Sequence, residues 1–319
     1  MERDQGIAMR QRNMMSYSHP FTFALLILCW ASAGAQQKSR SMADQPLYDL
    51  ARTDLNTFAK EVSKGTISEL GQTRAIVLWL AQHFDWKETD YRKRTVPQII
   101  ERGGGNCNDL AVVALATMKE LNVKVRRVRD VHIRTESVER GQRAQALVKE
   151  KGNRYSVFGT HHNDHVWLEV YDSKANDWFP ADPWSGVVGT EDWLKARVWF
   201  GRRSSLNPDA PEMIVPFAIF AEDGEGEFTI DQTRHYLVEG LDRIYANQLH
   251  ETAAWAEWVT MLDFLSQKVK GAFAGSVDLL EYAPEIDRLA ATYEQLRVAA
   301  TSSRTADSIS STGWHTHEK

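Results

Sequence analysis

Three consecutive glycines followed by a cysteine constrain this chain more than any other stretch. Gly103-Gly104-Gly105 breaks regular structure. Asn106-Cys107 follows directly, and behind it Leu110, Ala111, Leu115, Met118 and Leu121 recur at helical spacing. The pattern predicts a helix that opens at Cys107 and closes at Asn122, with a sulfur at its head. The first N–H groups of a helix have no intrahelical partner and its dipole is positive there. Both effects favour a thiolate, lowering a cysteine pKa by roughly a unit or more. The Cys107 N–H would point at a substrate carbonyl as half of an oxyanion hole, with the glycines leaving room. The competing role for Cys107 is that of a small buried hydrophobe.

The chain has 319 residues and two cysteines. Cys29 lies in an apolar run, Phe21 to Trp30, which is preceded by Arg10 and Arg12 and followed by Ala31-Ser32-Ala33 and Ala33-Gly34-Ala35. The run is too short for a stable membrane span. Its flanks read as a secretory signal peptide over residues 1–35, with an uncleaved anchor as the alternative. Translation could also begin at Met9. The bulky Leu28 before Cys29 argues against a lipoprotein-type modification. Cleavage leaves Cys107 as the one thiol, with no intrachain disulfide partner, which a nucleophilic role would justify. The expected location is exported, periplasmic or extracellular, with no stable membrane span after cleavage. A net charge of −5 is too mild to suggest nucleic-acid binding.

Leu47 to Val62 recur with helical period up to Gly65, and Thr66-x-x-Glu69 reads as a capping box opening a second helix to Phe84. Pro97 starts a short helix over 98–102. Val123, Val125 and Val128 form a strand, and 134–160 is a polar, basic insertion. His165-Val166-Trp167-Leu168-Glu169-Val170-Tyr171 alternates as a strand, Asp172 to Asp177 turns, and Trp178-Phe179-Pro180-Ala181-Asp182 returns. Pro180 makes the return an edge strand or a bulged one. If Tyr171 faces Trp178, then Asp182 lies opposite Trp167, and His165 is its diagonal neighbour on the same face. A one-residue slip would separate them. In the favoured register the carboxylate can fix the imidazole tautomer, the arrangement a cysteine nucleophile needs from its base.

Gly105-Asn106-Cys107-Asn108-Asp109-Leu110-Ala111, the strand from His165 to Tyr171, and Trp178-Phe179-Pro180-Ala181-Asp182-Pro183 resemble the core motifs of the transglutaminase-like superfamily, over roughly residues 66–200. The resemblance implies an α+β fold related to papain-like cysteine proteases: a Cys-bearing helix packed on an antiparallel sheet, here with a C-terminal helical region. It implies Cys107 as nucleophile, His165 as general base and acid, and Asp182 as orienter. The activity implied is acyl transfer from a carboxamide or peptide through a thioester, as a peptidase, amidase or protein-glutamine acyltransferase. The substrate would be a protein or peptide. No cofactor is called for. The basic segment before His165 is longer than in minimal members, and Asn108 stands where many members carry another polar residue.

Trp86, Trp167 and Trp184 are candidates to line a substrate cleft, with core packing as the alternative for each. His161-His162-x-Asp164-His165 could instead form a metal site, but no further ligand is evident, so no metal is expected. Asp223 to Glu227 echoes a calcium loop, yet Ala221 and Gln232 occupy its first and last ligand positions, so it reads as an acidic surface turn. Thr190 is expected to cap a helix that runs through Trp199. Asn207 to Pro211 reads as a domain boundary. The expected division is a signal peptide at 1–35, a catalytic domain at 36–210, a helical C-terminal domain at 211–302 and a disordered tail at 303–319. The helical region would contain stretches near 231–248, 250–270 and 284–300. A function of another class is also consistent with the sequence: a non-catalytic module binding a peptide or glycan on the same fold.

Overall fold

Where one long helix is expected at the start, two short ones form: α1 (Gln45–Thr53) and α2 (Leu55–Val62). Asp54 separates them. Its carboxylate accepts the Thr57 N–H at 3.0 Å and the Thr57 hydroxyl at 2.6 Å, a local bond that competes with helix continuation. The next helix, α3 (Glu69–His83), is capped by Ser68, which accepts the Gly71 N–H at 3.1 Å. Thr66, the expected cap, instead donates to the Ser63 carbonyl at 2.6 Å and closes the preceding turn. The computed structural model describes residues 45–87, 93–133, 162–198, 215–245 and 247–311. All of these fall within one compact unit, residues 37–319. The expected leader at 1–35, the basic stretch at 134–160 and Asn207 to Pro211 lie outside the described residues. Among the described residues no helix is long and apolar enough to cross a membrane.

After α3 come β1 (Asp85–Trp86), α4 (Val96–Arg102), β2 (Gly104–Gly105) and α5 (Cys107–Glu120). β1 and β2 pair in parallel, Trp86 opposite Gly105. A six-stranded antiparallel sheet follows. Its strands are β3 (Val125–Ile133), β4 (His162–Asp172), β5 (Asp177–Asp182), β6 (Val187–Val188), β7 (Val215–Glu222) and β8 (Phe228–Asp231), in the spatial order β6-β5-β4-β3-β7-β8. Tyr171 faces Trp178 and Leu168 faces Ala181, the register expected from the hairpin. β6 pairs only with Ala181 and Asp182, so most of β5, Pro180 included, is an outer strand. The β3–β7 pairing slips between Val131 and His132. Pro216 stands opposite His132 there and has no N–H to give.

Both faces of the sheet are covered. Val166, Leu168 and Val170 point to one side and join a core with α2, α3, α4 and α5. Trp167 and Val128 point to the other, into a second core. This second core takes in residues of α6 (Thr190–Arg197), a π-helical turn (His235–Gly240), α7 (Leu241–Tyr245), α8 (Asn247–His250), α9 (Ala253–Phe273), a 3₁₀ turn (Leu279–Tyr282) and α10 (Ala283–Ser311). Burial on both sides explains why every residue from Val215 to Ala221 is buried. Each fully buried large apolar side chain contributes about 1.5–3 kcal/mol of transfer free energy.

Several boundaries differ from expectation for local reasons. Gly189, at φ 110°, precedes α6, and Thr190 is its first helical residue rather than its cap. The helix ends at Arg197, and Trp199 lies outside the described residues. α10 continues to Ser311, into the stretch expected to be a disordered tail. No glycine or proline interrupts that stretch before Gly313. Residues 312–319 lie outside the described residues. The segment expected to be a separate helical domain from 211 contributes β7 and β8 to the shared sheet. At the turn between them, Asp223 Oδ1 accepts the N–H groups of Glu225 and Glu227 at 2.9 and 3.1 Å. Its Oδ2 accepts the Thr229 hydroxyl at 2.6 Å, so this carboxylate holds its own turn together.

Candidate active site

Cys107 is the first residue of α5 and is half-buried, packed beside the core shared by α5 and β4. Its position is built by its neighbours. Asn106 caps the helix: its side chain accepts the Asp109 N–H at 3.0 Å, and Asp109 Oδ2 accepts the Asn106 N–H at 3.3 Å. The glycines serve this packing. Gly104 has φ 145°, and a Cβ there would meet the Asp85 carbonyl oxygen at 2.0 Å. A Cβ on Gly105 would meet the Asp109 Cβ at 2.2 Å. They therefore let β1 and the capping carboxylate close around the helix start. Space for a substrate carbonyl, the use expected for them, is not what these contacts provide. Asp109 is buried and faces two guanidiniums, Arg94 at 3.3 Å and Arg102 at 3.6 Å. The dipole of α5 favours an anion at this end.

β4 and β5 bring His165 and Asp182 together. Both are buried, and His165 Nε2 lies 2.9 Å from Asp182 Oδ2. A carboxylate only accepts, so Nε2 donates and carries the proton, and Nδ1 is the basic nitrogen of the neutral ring. Burial by itself would raise the Asp182 pKa. The electrostatic attraction of His165 and Arg197, with the hydrogen bonds both donate, outweighs it and holds the carboxyl well below the usual carboxylate range. The His165 N–H donates to Asp130 Oδ1 at 2.7 Å, which pins the strand carrying the imidazole to β3.

The three tryptophans separate. Trp167 is fully buried. It stacks on the His165 ring at 5.8 Å and packs on Trp193 at 4.7 Å. It is therefore core and supports the imidazole from behind, which removes it from the expected cleft lining. Trp184 stands at the site and is 37% exposed. Its ring meets His165 edge-on at 6.1 Å, and its backbone N–H donates to Asp182 Oδ1 at 3.0 Å. Trp86 is set by its backbone opposite Gly105, two residues before the cysteine. Its side chain lies outside the described residues, as do those of His161, His162 and Asp164. Among the described residues no group of three metal-ligating side chains gathers.

Sequence reasoning missed Arg197. Its Nη2 lies 3.1 Å from Asp182 Oδ2, its side chain is 4% exposed, and its guanidinium lies 5.3 Å from the centre of the Trp184 ring. The signal was present: Trp193, Leu194, Arg197 and Val198 lie on one helical stripe. A cation on a buried stripe asks for a partner. Asp130 and the Arg94–Asp109–Arg102 group left no comparable trace, because their contacts join distant segments.

Comparison with known proteins agrees with this architecture. Residues 56–183 match the model of the Transglutaminase-like superfamily core. No curated protein matches the chain. Similar solved structures include a candidate cysteine protease from Cytophaga hutchinsonii, 14% identical over 47% of this chain and 44% of that one, with a TM-score of 0.30. They also include calcium-bound LapG from Legionella pneumophila, 13% identical over 63% of this chain and 87% of that one, with a TM-score of 0.27. The chain thus spans less than half of the Cytophaga protein. The matched segment starts in α2 and ends at Pro183, just after the aspartate strand, and within it lie Cys107, His165 and Asp182. Residues 56–183 match a transglutaminase-like superfamily core, in an α+β fold whose Cys-bearing helix packs on an antiparallel sheet.

Proposed function

We propose that this protein is a cysteine-dependent acyl enzyme in which Cys107 is the nucleophile, His165 the general base and acid, and Asp182 the orienter. The observation that carries the reading is the buried His165–Asp182 hydrogen bond at 2.9 Å. It fixes the ring with Nε2 protonated and gives Nδ1 the base role, on a strand against which the Cys107 helix packs. In the first step Nδ1 takes the thiol proton and Sγ attacks a carboxamide or peptide carbonyl carbon. The C–N bond then breaks, the imidazolium returns its proton to the departing amine, and a thioester remains. In the second step His165 takes a proton from water or from a primary amine. That nucleophile attacks the thioester and the cysteine leaves. The Cys107 N–H at the head of α5 is one donor for the developing oxyanion.

The substrate is a protein or peptide, met at Trp184 and the Trp86 strand. The protein is exported, a reading that rests on the apolar run from Phe21 to Trp30 and the small-residue sites after it. The test is intact-mass analysis after incubation with iodoacetamide, and separately with a glutamine-containing protein and a primary amine. The chain cleaved of residues 1–35, which removes Cys29, gains one adduct at Cys107, and its Cys107→Ser variant gains none. His165→Ala keeps its fold and loses at least about 100-fold in alkylation or turnover rate. Wild-type rates in His165→Ala would remove the proposed base. A wild-type Cys107 no more reactive than a simple thiol would favour the non-catalytic binding module.

A further inference from the structure

We propose that Arg197 is a positioning residue that lowers the proton affinity of His165 by sharing the Asp182 carboxylate with it. This rests on the assignment of His165 as the general base. Among the described side chains, the charged groups bonded to His165 or to its carboxylate partner are Asp182 on β5, Asp130 on β3 and Arg197 on α6. Two buried carboxylates flank one histidine: Asp182 at the ring and Asp130 at its backbone N–H. Alone, they would drive the ring to imidazolium, since an opposite charge within a few ångströms favours the charged form. Arg197 is the counterweight. Its Nη2 and the imidazole Nε2 approach the same oxygen, Asp182 Oδ2, at 3.1 and 2.9 Å. The Trp184 backbone N–H holds Oδ1 at 3.0 Å. The carboxylate is thus bonded on both oxygens, and its charge is matched whether or not His165 is protonated.

A need for stability does not explain this guanidinium. Its Nε is buried with no hydrogen-bond partner among the described residues, an arrangement that costs free energy rather than supplying it. A neutral side chain of similar volume would fill α6 more cheaply. Arg197 also lies beyond Pro183, where the superfamily match ends, so the match assigns it no role.

The test is the titration of the His165 ring by NMR in the full-length protein, with the resonance assigned by its absence in His165→Gln. Arg197→Gln keeps a donor for Asp182 and removes the charge, and Arg197→Met removes both. In each the imidazole pKa should rise by about one unit or more. In Arg197→Lys it should stay within about 0.3 unit of wild type. The acid limb of Cys107 alkylation should move to lower pH in the Gln and Met variants, because an imidazolium then stabilises the thiolate. An unchanged or lowered imidazole pKa in folded Arg197→Gln would overturn the proposal. So would an Arg197→Gln chain that fails to fold while Arg197→Lys folds, since the role would then be structural only. A wild-type thiol without enhanced reactivity would count against the nucleophile, and the imidazole titration would still decide the part played by Arg197.

Discussion

Asp182 concentrates the electrostatics of the site in one side chain. It is fully buried, and its pKa lies below the unfolded value of about 3.9. A depressed carboxyl contributes stability that is present above the unfolded pKa and is lost as acid carries the pH down toward the folded one. Thermal unfolding measured from pH 6 downward should therefore show a midpoint that falls from about pH 4, and Asp182→Asn should flatten that fall. An equally steep acid limb in Asp182→Asn would assign the effect to other groups. The His165–Asp182 pair was legible in the sequence because strand alternation has a period of two and the hairpin turn is short. Those two facts fix the register, and the register fixes the neighbours. Arg197 was harder to read. Its helix follows the hairpin, but nothing in the sequence says that the helix folds back over the sheet face that carries Asp182.

At the scale of elements, the helix headed by Cys107 was the clearest feature, since a capping asparagine, an apolar period and a left-handed Asn122 (φ 56°) all agree on its limits. Other ends were set by competition between nearby polar side chains. Ser68 took the cap from Thr66, and Asp54 split a run whose apolar spacing was continuous. The π-helical turn was not foreseen, because its justification is tertiary. Tyr236 in that turn donates its hydroxyl to the buried Glu169 at 2.7 Å, and Arg126 donates to the same carboxylate at 2.6 Å. Burial, then the Glu169 charge, push the phenol well above its usual pKa, so the hydroxyl remains a donor through the physiological range. Gly240, closing the turn, faces Leu194 of α6, where a Cβ would come within 2.8 Å of its Cδ1. Tyr236→Phe should therefore cost about 1–3 kcal/mol by denaturant unfolding with an unchanged m-value. A loss below about 0.5 kcal/mol would mean that Arg126 alone satisfies Glu169. Tyr236 also meets Trp167 edge-on at 6.1 Å, and Trp167 backs the His165 ring. The turn thus reaches the imidazole through one intervening side chain.

At the scale of the whole molecule, the two-sided sheet joins the segments. The superfamily match ends at Pro183, yet β3 is paired on one side by β4 and on the other by β7, which begins at Val215. A fragment of residues 45–198 would keep Cys107, His165, Asp182 and Arg197 but expose the β7 side of β3 and the apolar face that meets α9 and α10. It should elute as aggregates in size-exclusion chromatography and unfold without a cooperative transition. A monomeric, cooperatively folded fragment would show that the later strands and helices are dispensable. The helical region was legible as helices. Its dependence on the sheet was not, because a continuous apolar strand such as Val215 to Ala221 does not name its partner. This strand order also bears on how the polypeptide comes into being. β3 leaves the ribosome long before β7, so in a nascent chain one edge of β3 waits for its neighbour until synthesis has passed Glu222. Until then the strands that carry His165 and Asp182 belong to a sheet with an open side, a delay that arises from topology alone.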